Sequence, residues 1–136
     1  MYIQREIESE VLKGADGFPV ITITGPRQSG KTTLIKHLFP EKNYISLENP
    51  DNYEIAKTDP RGFLNRYLNG VILDEVQRVP ELLSYIQGIA DEYNNPGMFI
   101  LSGSQQFNLM SGVSQSLAGR TAIFKLFPFN MSELGS

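Results

Sequence analysis

Several residue types are missing or scarce in this chain, and each absence excludes some chemistry. The 136 residues include no cysteine, no tryptophan and a single histidine, His37. Disulfides, thiolate metal sites and a cysteine nucleophile are therefore excluded. One histidine also argues against a multi-histidine metal site or a Ser-His-Asp triad, and we expect His37 to be a surface or helix-end residue.

Long apolar runs are also missing. No uncharged stretch approaches the roughly 20 residues that span a bilayer, and the first six residues, MYIQRE, are charged where a signal peptide would be apolar. We therefore expect a cytoplasmic protein without a membrane partner. The net charge of −3, from 12 Lys and Arg against 15 Asp and Glu, implies no broad nucleic-acid surface either.

The length and composition suit one globular domain. Apolar residues make up 40% of the chain and charged residues 20%, which is ordinary for a soluble domain with its own core. We expect residues 1–136 to form a single domain. Because Ser132 to Leu134 resembles the start of another helix, we also expect this domain to be the N-terminal part of a longer protein.

Apolar, β-branched runs alternate with helical patterns, which is typical of an α/β fold with a mainly parallel sheet. Five strands are predicted: Val20–Thr24, Tyr44–Leu47, Val71–Leu73, Met98–Leu101 and Ala122–Leu126. Helices are predicted at Gln4–Lys13, Lys31–Phe39, after Asn49-Pro50, after Asp59-Pro60, at Glu81–Asn94 and at Ser104–Leu117. Together these elements predict a small doubly wound domain.

A phosphate-binding loop follows the first predicted strand. Residues 25–32, GPRQSGKT, match G-x-x-x-x-G-K-[ST] at every fixed position, between a strand and a helix. Successive backbone N–H groups of such a loop surround phosphates, and the lysine and the hydroxyl complete the site. Whether Arg27 contacts phosphate or is a solvated loop residue stays open. The predicted nucleotide contacts are Gly25, Pro26, Arg27, Gln28, Ser29, Gly30, Lys31, Thr32 and Thr33.

Two carboxylates end the third predicted strand. In a P-loop fold, Asp74 and the Thr32 hydroxyl would hold Mg²⁺, and Glu75 would act on the attacking water as a general base. A glutamate in this place favours hydrolysis over transfer to a bulky acceptor. No Asn-Lys-x-Asp guanine-reading motif is present, which favours ATP over GTP.

Further polar residues are candidates for supporting roles. Ser102 and Ser104, at the end of the fourth predicted strand, would contact the γ-phosphate or the water, although Ser104 suits a helix N-cap equally well. Arg120 would offset transition-state charge in its own subunit or a neighbour's, or form a surface ion pair. Gln105 is placed near the same cleft, and Gln77 with Arg78 would brace the site or report the bound nucleotide to a partner.

Taken together, these segments resemble a known group. The runs GPRQSGKTTLIKHLF, YISLENPD, TDPRGFL, VILDEVQRVPELLSYIQ, FILSGSQQFNLM, SLAGR and LFPF are similar to the N-terminal domain of prokaryotic AAA+-type ATPases, whose longer members carry a restriction-nuclease-like C-terminal domain. The resemblance implies a three-layer P-loop NTPase of the ASCE class, with strand order 5-1-4-3-2. It implies ATP and Mg²⁺ as cofactors, Walker A roles for Lys31 and Thr32, and Walker B roles for Asp74 and Glu75. It also marks Ser102 to Ser104 as the sensor strand end and Arg120 as the Gly-Arg position.

Three functions follow from these residues. The first is a Mg²⁺-dependent ATPase, with Lys31, Glu75, Ser104 and Arg120 as catalytic residues. The second is a nucleotide-regulated interaction module with negligible hydrolysis. The third is a small-molecule kinase, which segment 104–120 disfavours because it carries a single arginine where a kinase lid carries several. A homo-oligomer, and a C-terminal domain or a protein partner outside this chain, stay open.

Overall fold

The computed structural model describes residues 5–26, 30–104, 111–113 and 117–126. Helices and strands alternate along most of this range. The helices are α1 (Arg5–Gly17), α2 (Lys31–Leu38), α3 (Pro50–Thr58), α4 (Pro60–Asn65) and α5 (Leu82–Tyr93), with a short 3₁₀ helix at Val76–Arg78. The strands are β1 (Val20–Thr24), β2 (Asn43–Ser46), β3 (Val71–Asp74), β4 (Phe99–Gly103) and β5 (Thr121–Lys125).

The strands form one parallel sheet in the order β2-β3-β4-β1-β5. Read from the other edge this is 5-1-4-3-2, so the predicted fold class and strand order are confirmed. The register pairs Thr24 with Gly103 and Ser46 with Asp74. Because all strands run the same way, the carboxyl ends of β1, β3 and β4 meet at one edge of the sheet.

Buried side chains cover both faces of the sheet, which gives three layers. On one face, Ile21 and Ile23 of β1 pack with residues of α1 and α2. On the other face, Leu73 of β3 and Leu101 of β4 pack with α3, α4 and α5. Complete burial of such a side chain stabilises the fold by roughly 1.5–3 kcal/mol. Because both faces of the sheet are covered by apolar side chains, the polar residues at the strand ends lie at the carboxyl edge.

The helices predicted after Asn49-Pro50 and Asp59-Pro60 are present, and each has a side-chain cap. Asn49 Oδ1 accepts hydrogen bonds from the N–H groups of Asp51 and Asn52, and Pro50 occupies the first turn of α3. Asp59 caps α4 in the same way by accepting from Gly62 N at 3.1 Å. These caps satisfy backbone donors that a helix leaves unpaired at its start.

The end of the first helix was predicted wrongly. The sequence places it near Gly14, whereas α1 continues to Gly17. A Cβ added at Gly14 would lie 3.2 Å from Ile21 Cδ1 and 3.2 Å from Phe124 Cζ. Gly14 therefore lies where α1 packs closely against the sheet, and it does not act as a helix stop.

Other boundaries differ by a residue or two. The strand predicted at Ala122–Leu126 begins one residue earlier, at Thr121, and α5 spans Leu82–Tyr93 within the predicted range. Residues 111–113 are helical, as expected for the segment before β5. Most of the helix predicted at Ser104–Leu117 lies outside the described residues.

Candidate active site

The loop after β1 leads directly into α2 at the carboxyl edge of the sheet. Gly30 adopts a left-handed conformation, with φ 81° and ψ 15°, and no side chain caps the helix that follows it. The first turn of α2 holds no acidic residue, so its N–H groups and positive dipole end remain suited to an anion. Gly25 N donates to Gly103 O at 3.2 Å, which ties the loop to the end of β4. Arg27, Gln28 and Ser29, three of the predicted contacts, lie outside the described residues.

Lys31, the first residue of α2, forms a buried ion pair with Glu75. Lys31 Nζ lies 3.2 Å from Glu75 Oε2, and the two side chains are only 2% and 5% exposed. The structure thus brings together a cation and a carboxylate that are 44 residues apart in the sequence. The predicted phosphate-binding lysine and the predicted general base are direct neighbours.

Asp74 accepts hydrogen bonds from three hydroxyl groups on three different elements. Thr32 Oγ1 of α2 donates to Oδ2 at 2.9 Å, Tyr44 of β2 donates to the same oxygen, and Ser102 of β4 donates to Oδ1. Asp74 is 4% exposed and Ser102 is fully buried. The carboxylate is therefore held in one orientation at the centre of the site.

Tyr44 is a site residue that the sequence did not reveal. Burial, reinforced by the hydrogen bond to Asp74 and by its negative charge, raises the pKa of Tyr44. The phenol therefore stays a neutral donor. Its position beside Asp74 depends on β2 pairing with β3, with Ser46 opposite Asp74. The six tyrosines of the chain form no pattern of their own. The strand order 5-1-4-3-2 that the resemblance implies places β2 beside β3, and this order is the signal that could have pointed to Tyr44.

Glu75 is held by a second set of donors. Gln77 Nε2 and Ser104 Oγ donate to its Oε1 at 2.7 and 2.8 Å. Burial alone would raise the pKa of Glu75, but the hydrogen bonds from Gln77 and Ser104 and the charge of Lys31 together hold that pKa below its usual value. Glu75 is therefore a carboxylate near neutral pH. Ser104, predicted either as an N-cap or as a site residue, contacts the predicted base.

Arg120 is not part of this group of residues in its own chain. It precedes β5 at the amino edge of the sheet, where its carbonyl accepts from Val20 N at 3.2 Å. Its Nε lies 2.6 Å from Asp91 Oδ1, and a second guanidinium nitrogen lies 3.0 Å from Asp91 Oδ2. This pair lowers the pKa of Asp91 and raises that of Arg120. A strand of five residues, roughly 15 Å, separates Arg120 from the carboxyl edge of its own sheet. Within one chain, Arg120 therefore forms a surface ion pair with Asp91 and does not contact the carboxylates of the site.

The remaining candidate residues from the sequence are Thr33, His37, Gln105 and Arg78. Thr33 is exposed on α2, one residue after Thr32. His37 is a surface residue, with its side chain 61% exposed and its Nε2 3.8 Å from Glu8 Oε2. Gln105 lies outside the described residues. Arg78 is exposed and places its guanidinium over the ring of Tyr53, 5.9 Å from the centroid, away from the carboxylates.

The donor set fits a magnesium nucleotide. Thr32 and Asp74 provide oxygen ligands, which Mg²⁺ prefers, together with water and phosphate. Among the described residues, no group of three or more His, Cys, Asp and Glu side chains is arranged so that it could hold a metal ion. Such a site suits a metal that arrives with a phosphate ligand better than a metal enclosed by protein alone. The ammonium of Lys31 is buried and positively charged, which suits it to pair with phosphate oxygens.

A parallel sheet in this order, with a Gly-Lys-Thr loop after β1 and carboxylates after β3, defines a P-loop nucleoside triphosphatase fold. The chain belongs to the AAA domain family, whose model matches residues 17–135. Membership of this family supports binding of ATP.

Two curated relatives are 32% identical to the chain over 137 residues. They are the uncharacterized proteins Rv2008c of Mycobacterium tuberculosis and Mb2031c of Mycobacterium bovis. The alignment covers 98% of this chain but 30% of each relative. The chain thus spans less than a third of the length of these proteins.

Solved structures share the fold at low sequence identity. The Walker-type ATPase PABY2304 of Pyrococcus abyssi is 19% identical with a TM-score of 0.67, covering 97% of this chain and 55% of that one. RuvB T158V of Thermotoga maritima is 19% identical with a TM-score of 0.59, covering 96% and 47%. A DNA replication initiation factor is 21% identical with a TM-score of 0.60, covering 90% and 46%. At these identities the likeness concerns the fold alone.

The longest helix of the described ranges, α1, has 13 residues. None of the helices in these ranges is long and apolar enough to cross a bilayer.

Proposed function

We propose that this domain binds ATP together with Mg²⁺ and hydrolyses it to ADP and phosphate. The observation that carries the proposal is the buried contact between Lys31 and Glu75, 3.2 Å apart, beside a carboxylate that already holds the Thr32 hydroxyl. An ammonium group, a hydroxyl bound to a carboxylate and a second carboxylate thus occupy one edge of the sheet. Each has a separate task in phosphoryl transfer to water.

Lys31 and the start of α2 would bind the phosphates. The β- and γ-phosphates carry more negative charge than the Glu75 carboxylate does, so they compete for the ammonium of Lys31. The uncapped N–H groups of α2 would donate to phosphate oxygens, with Gly30 allowing the backbone to approach closely. We also propose that Thr33 contacts the phosphates, because it lies in the first turn of α2.

Thr32 and Asp74 would hold Mg²⁺. The ion would neutralise charge on the phosphates and orient them. Tyr44 and Ser102 keep Asp74 in place by donating to its two oxygens. The hydroxyl of Thr32, now 2.9 Å from Asp74 Oδ2, is close enough to share a ligand with that carboxylate.

Glu75 would act on the attacking water as general base. When Lys31 turns to the phosphates, Glu75 Oε2 loses its partner and can accept a proton from water. The water oxygen forms a bond to the γ-phosphorus, the bond from that phosphorus to the bridging oxygen breaks, and ADP leaves with the electron pair. Ser104 keeps the other carboxylate oxygen fixed during this step.

A nucleotide-regulated interaction module with negligible hydrolysis is the second candidate. One observation favours it: Arg120, the predicted charge-neutralising residue, is paired with Asp91 at the opposite edge of the sheet. The chain alone would then bind ATP without stabilising the transition state fully. A neighbouring copy would have to supply Arg120, so we propose a homo-oligomer as the state in which hydrolysis is fast.

The setting of the whole protein is proposed from the sequence resemblance. We place the domain in the cytoplasm, at the N-terminal side of a restriction-nuclease-like domain that lies outside this chain. The small share of the relatives that the chain covers is compatible with additional domains.

One set of measurements tests the proposal. Phosphate release is measured with MgATP for the parent, for Glu75→Gln and for Glu92→Gln, an exposed glutamate of α5 as matched control. We expect the parent and Glu92→Gln to hydrolyse ATP, and Glu75→Gln to lose about 10²–10⁴ in kcat while still binding ATP. Saturation at 100-fold over Kd should stabilise the parent by about 2.7 kcal/mol. ATP binding without phosphate release would favour the second candidate, and no stabilisation by ATP would refute both.

A further inference from the structure

Gln77 contacts the predicted base from the one-turn helix that follows it. Its Nε2 donates to Glu75 Oε1 at 2.7 Å. Its own carbonyl oxygen, Oε1, is buried and has no hydrogen-bond partner among the described residues. A buried amide carbonyl without a partner is energetically unfavourable, so this atom is poised for a ligand.

The two oxygens of Glu75 have different partners. Oε1 accepts from the neutral side chains of Gln77 and Ser104, whereas Oε2 accepts from Lys31. When phosphates draw Lys31 away, Oε2 alone is released, and Oε1 remains held. Oε2 would therefore be the oxygen that accepts the proton of the water, because Oε1 keeps its hydrogen bonds from Gln77 and Ser104.

The backbone is strained at the residue that brings Gln77 back to Glu75. Glu75 has φ 59° and ψ 46°, a left-handed conformation that non-glycine residues rarely adopt. The turn is closed by hydrogen bonds from Arg78 N to Glu75 O and from Val79 N to Val76 O, both 3.1 Å. Val76 and Val79 are fully buried and anchor it. This reversal folds the Gln77 side chain back over the carboxylate.

We propose that Gln77 positions both Glu75 and the attacking water, an inference that rests on the proposed ATPase function. A water molecule has two O–H groups. One would donate to Glu75 Oε2, which takes the proton, and the other would donate to the free carbonyl of Gln77. With both O–H groups engaged, the lone pair of the water is directed at the γ-phosphorus, which lowers the entropic part of the barrier.

The test compares Gln77→Met with Gln87→Met, an equivalent change at a half-buried glutamine of α5 that lies outside the site. Methionine has the length of glutamine without its amide. We expect Gln77→Met to lower kcat roughly 10- to 100-fold with KM for MgATP and the affinity for a fluorescent ATP analogue unchanged. Gln87→Met should match the parent in all three.

Each outcome has a distinct meaning. A parent that hydrolyses ATP beside a Gln77→Met variant with the same kcat overturns this inference and leaves the proposed function standing. A parent that releases no phosphate overturns the proposed function, and this inference with it. Loss of ATP affinity together with kcat overturns the positioning role, because Gln77 would then serve binding. Gln77→Ala is the second variant, and failure of both to fold while Gln87→Met folds would make Gln77 a structural residue only.

Discussion

Lys31 Nζ and Glu75 Oε2 lie 3.2 Å apart in an almost fully buried contact. Each of these groups is a charged partner of the other. In the proposed reaction, the phosphates would replace Glu75 as the partner of Lys31. This exchange would convert Glu75 from a paired carboxylate into a free base.

Lys31→Met should abolish nucleotide binding and also destabilise the fold. The change leaves Glu75 as a buried carboxylate that retains only its neutral donors, which we expect to cost roughly 1–3 kcal/mol. Urea denaturation measures this cost, and a melting curve with MgATP tests binding. Lys13→Met, at an exposed lysine of α1, is the matched control and should behave as the parent does.

The double variant Lys31→Met with Glu75→Gln should recover part of the lost stability. Replacing the Glu75 carboxylate by an amide removes the unpaired charge. Glu75→Gln should therefore lower the free energy of unfolding less in the Lys31→Met background than in the parent. If the stability lost by the double variant equals the sum of the losses of the two single variants, the ion pair has no coupling energy.

Thr32→Val should reduce ATP affinity only when Mg²⁺ is present. Valine keeps the shape of threonine but removes the hydroxyl that lies 2.9 Å from Asp74 Oδ2, and we expect about a tenfold loss of magnesium-dependent affinity. Titration of nucleotide with Mg²⁺ and with EDTA measures the difference. Thr32→Ser retains the hydroxyl and should bind as the parent does. The same loss in EDTA would place Thr32 at the phosphates instead.

Ser104→Ala should lower kcat while leaving ATP affinity unchanged. It removes one of the neutral donors to Glu75 Oε1, 2.8 Å away, and leaves Gln77 in place, so we expect a loss of about tenfold. Ser104→Thr keeps a hydroxyl at this position and should restore most of the rate. If Ser104→Ala instead lowered the stability of the fold without changing kcat, the alternative prediction of an N-cap role would be favoured.

Arg120→Ala should leave ATP binding intact and lower hydrolysis. Because Arg120 lies at the amino edge of the sheet, its effect must come through a neighbouring copy. Mixing Arg120→Ala with Glu75→Gln should then restore phosphate release, since an intact Glu75 from one chain meets an intact Arg120 from the other. Parent-level hydrolysis by Arg120→Ala would limit the residue to its ion pair with Asp91.

The sequence determined the residues of the site that belong to contiguous motifs. The spacing of GPRQSGKT fixed the roles predicted for Gly30, Lys31 and Thr32, because a loop that surrounds phosphate has few solutions in adjacent residues. The alternation of apolar strands and amphipathic helices likewise predicted the α/β class. Such patterns are local, so they can be read before the chain is folded.

Only the tertiary structure decided which side chains meet. Tyr44 reaches Asp74 because β2 pairs with β3, and Gln77 reaches Glu75 because the chain reverses at a left-handed residue. Arg120 is kept from the site because parallel strands place the residue before β5 at the opposite edge. Strand order and local reversals depend on packing between distant segments, and that information is not contained in the spacing of any one motif.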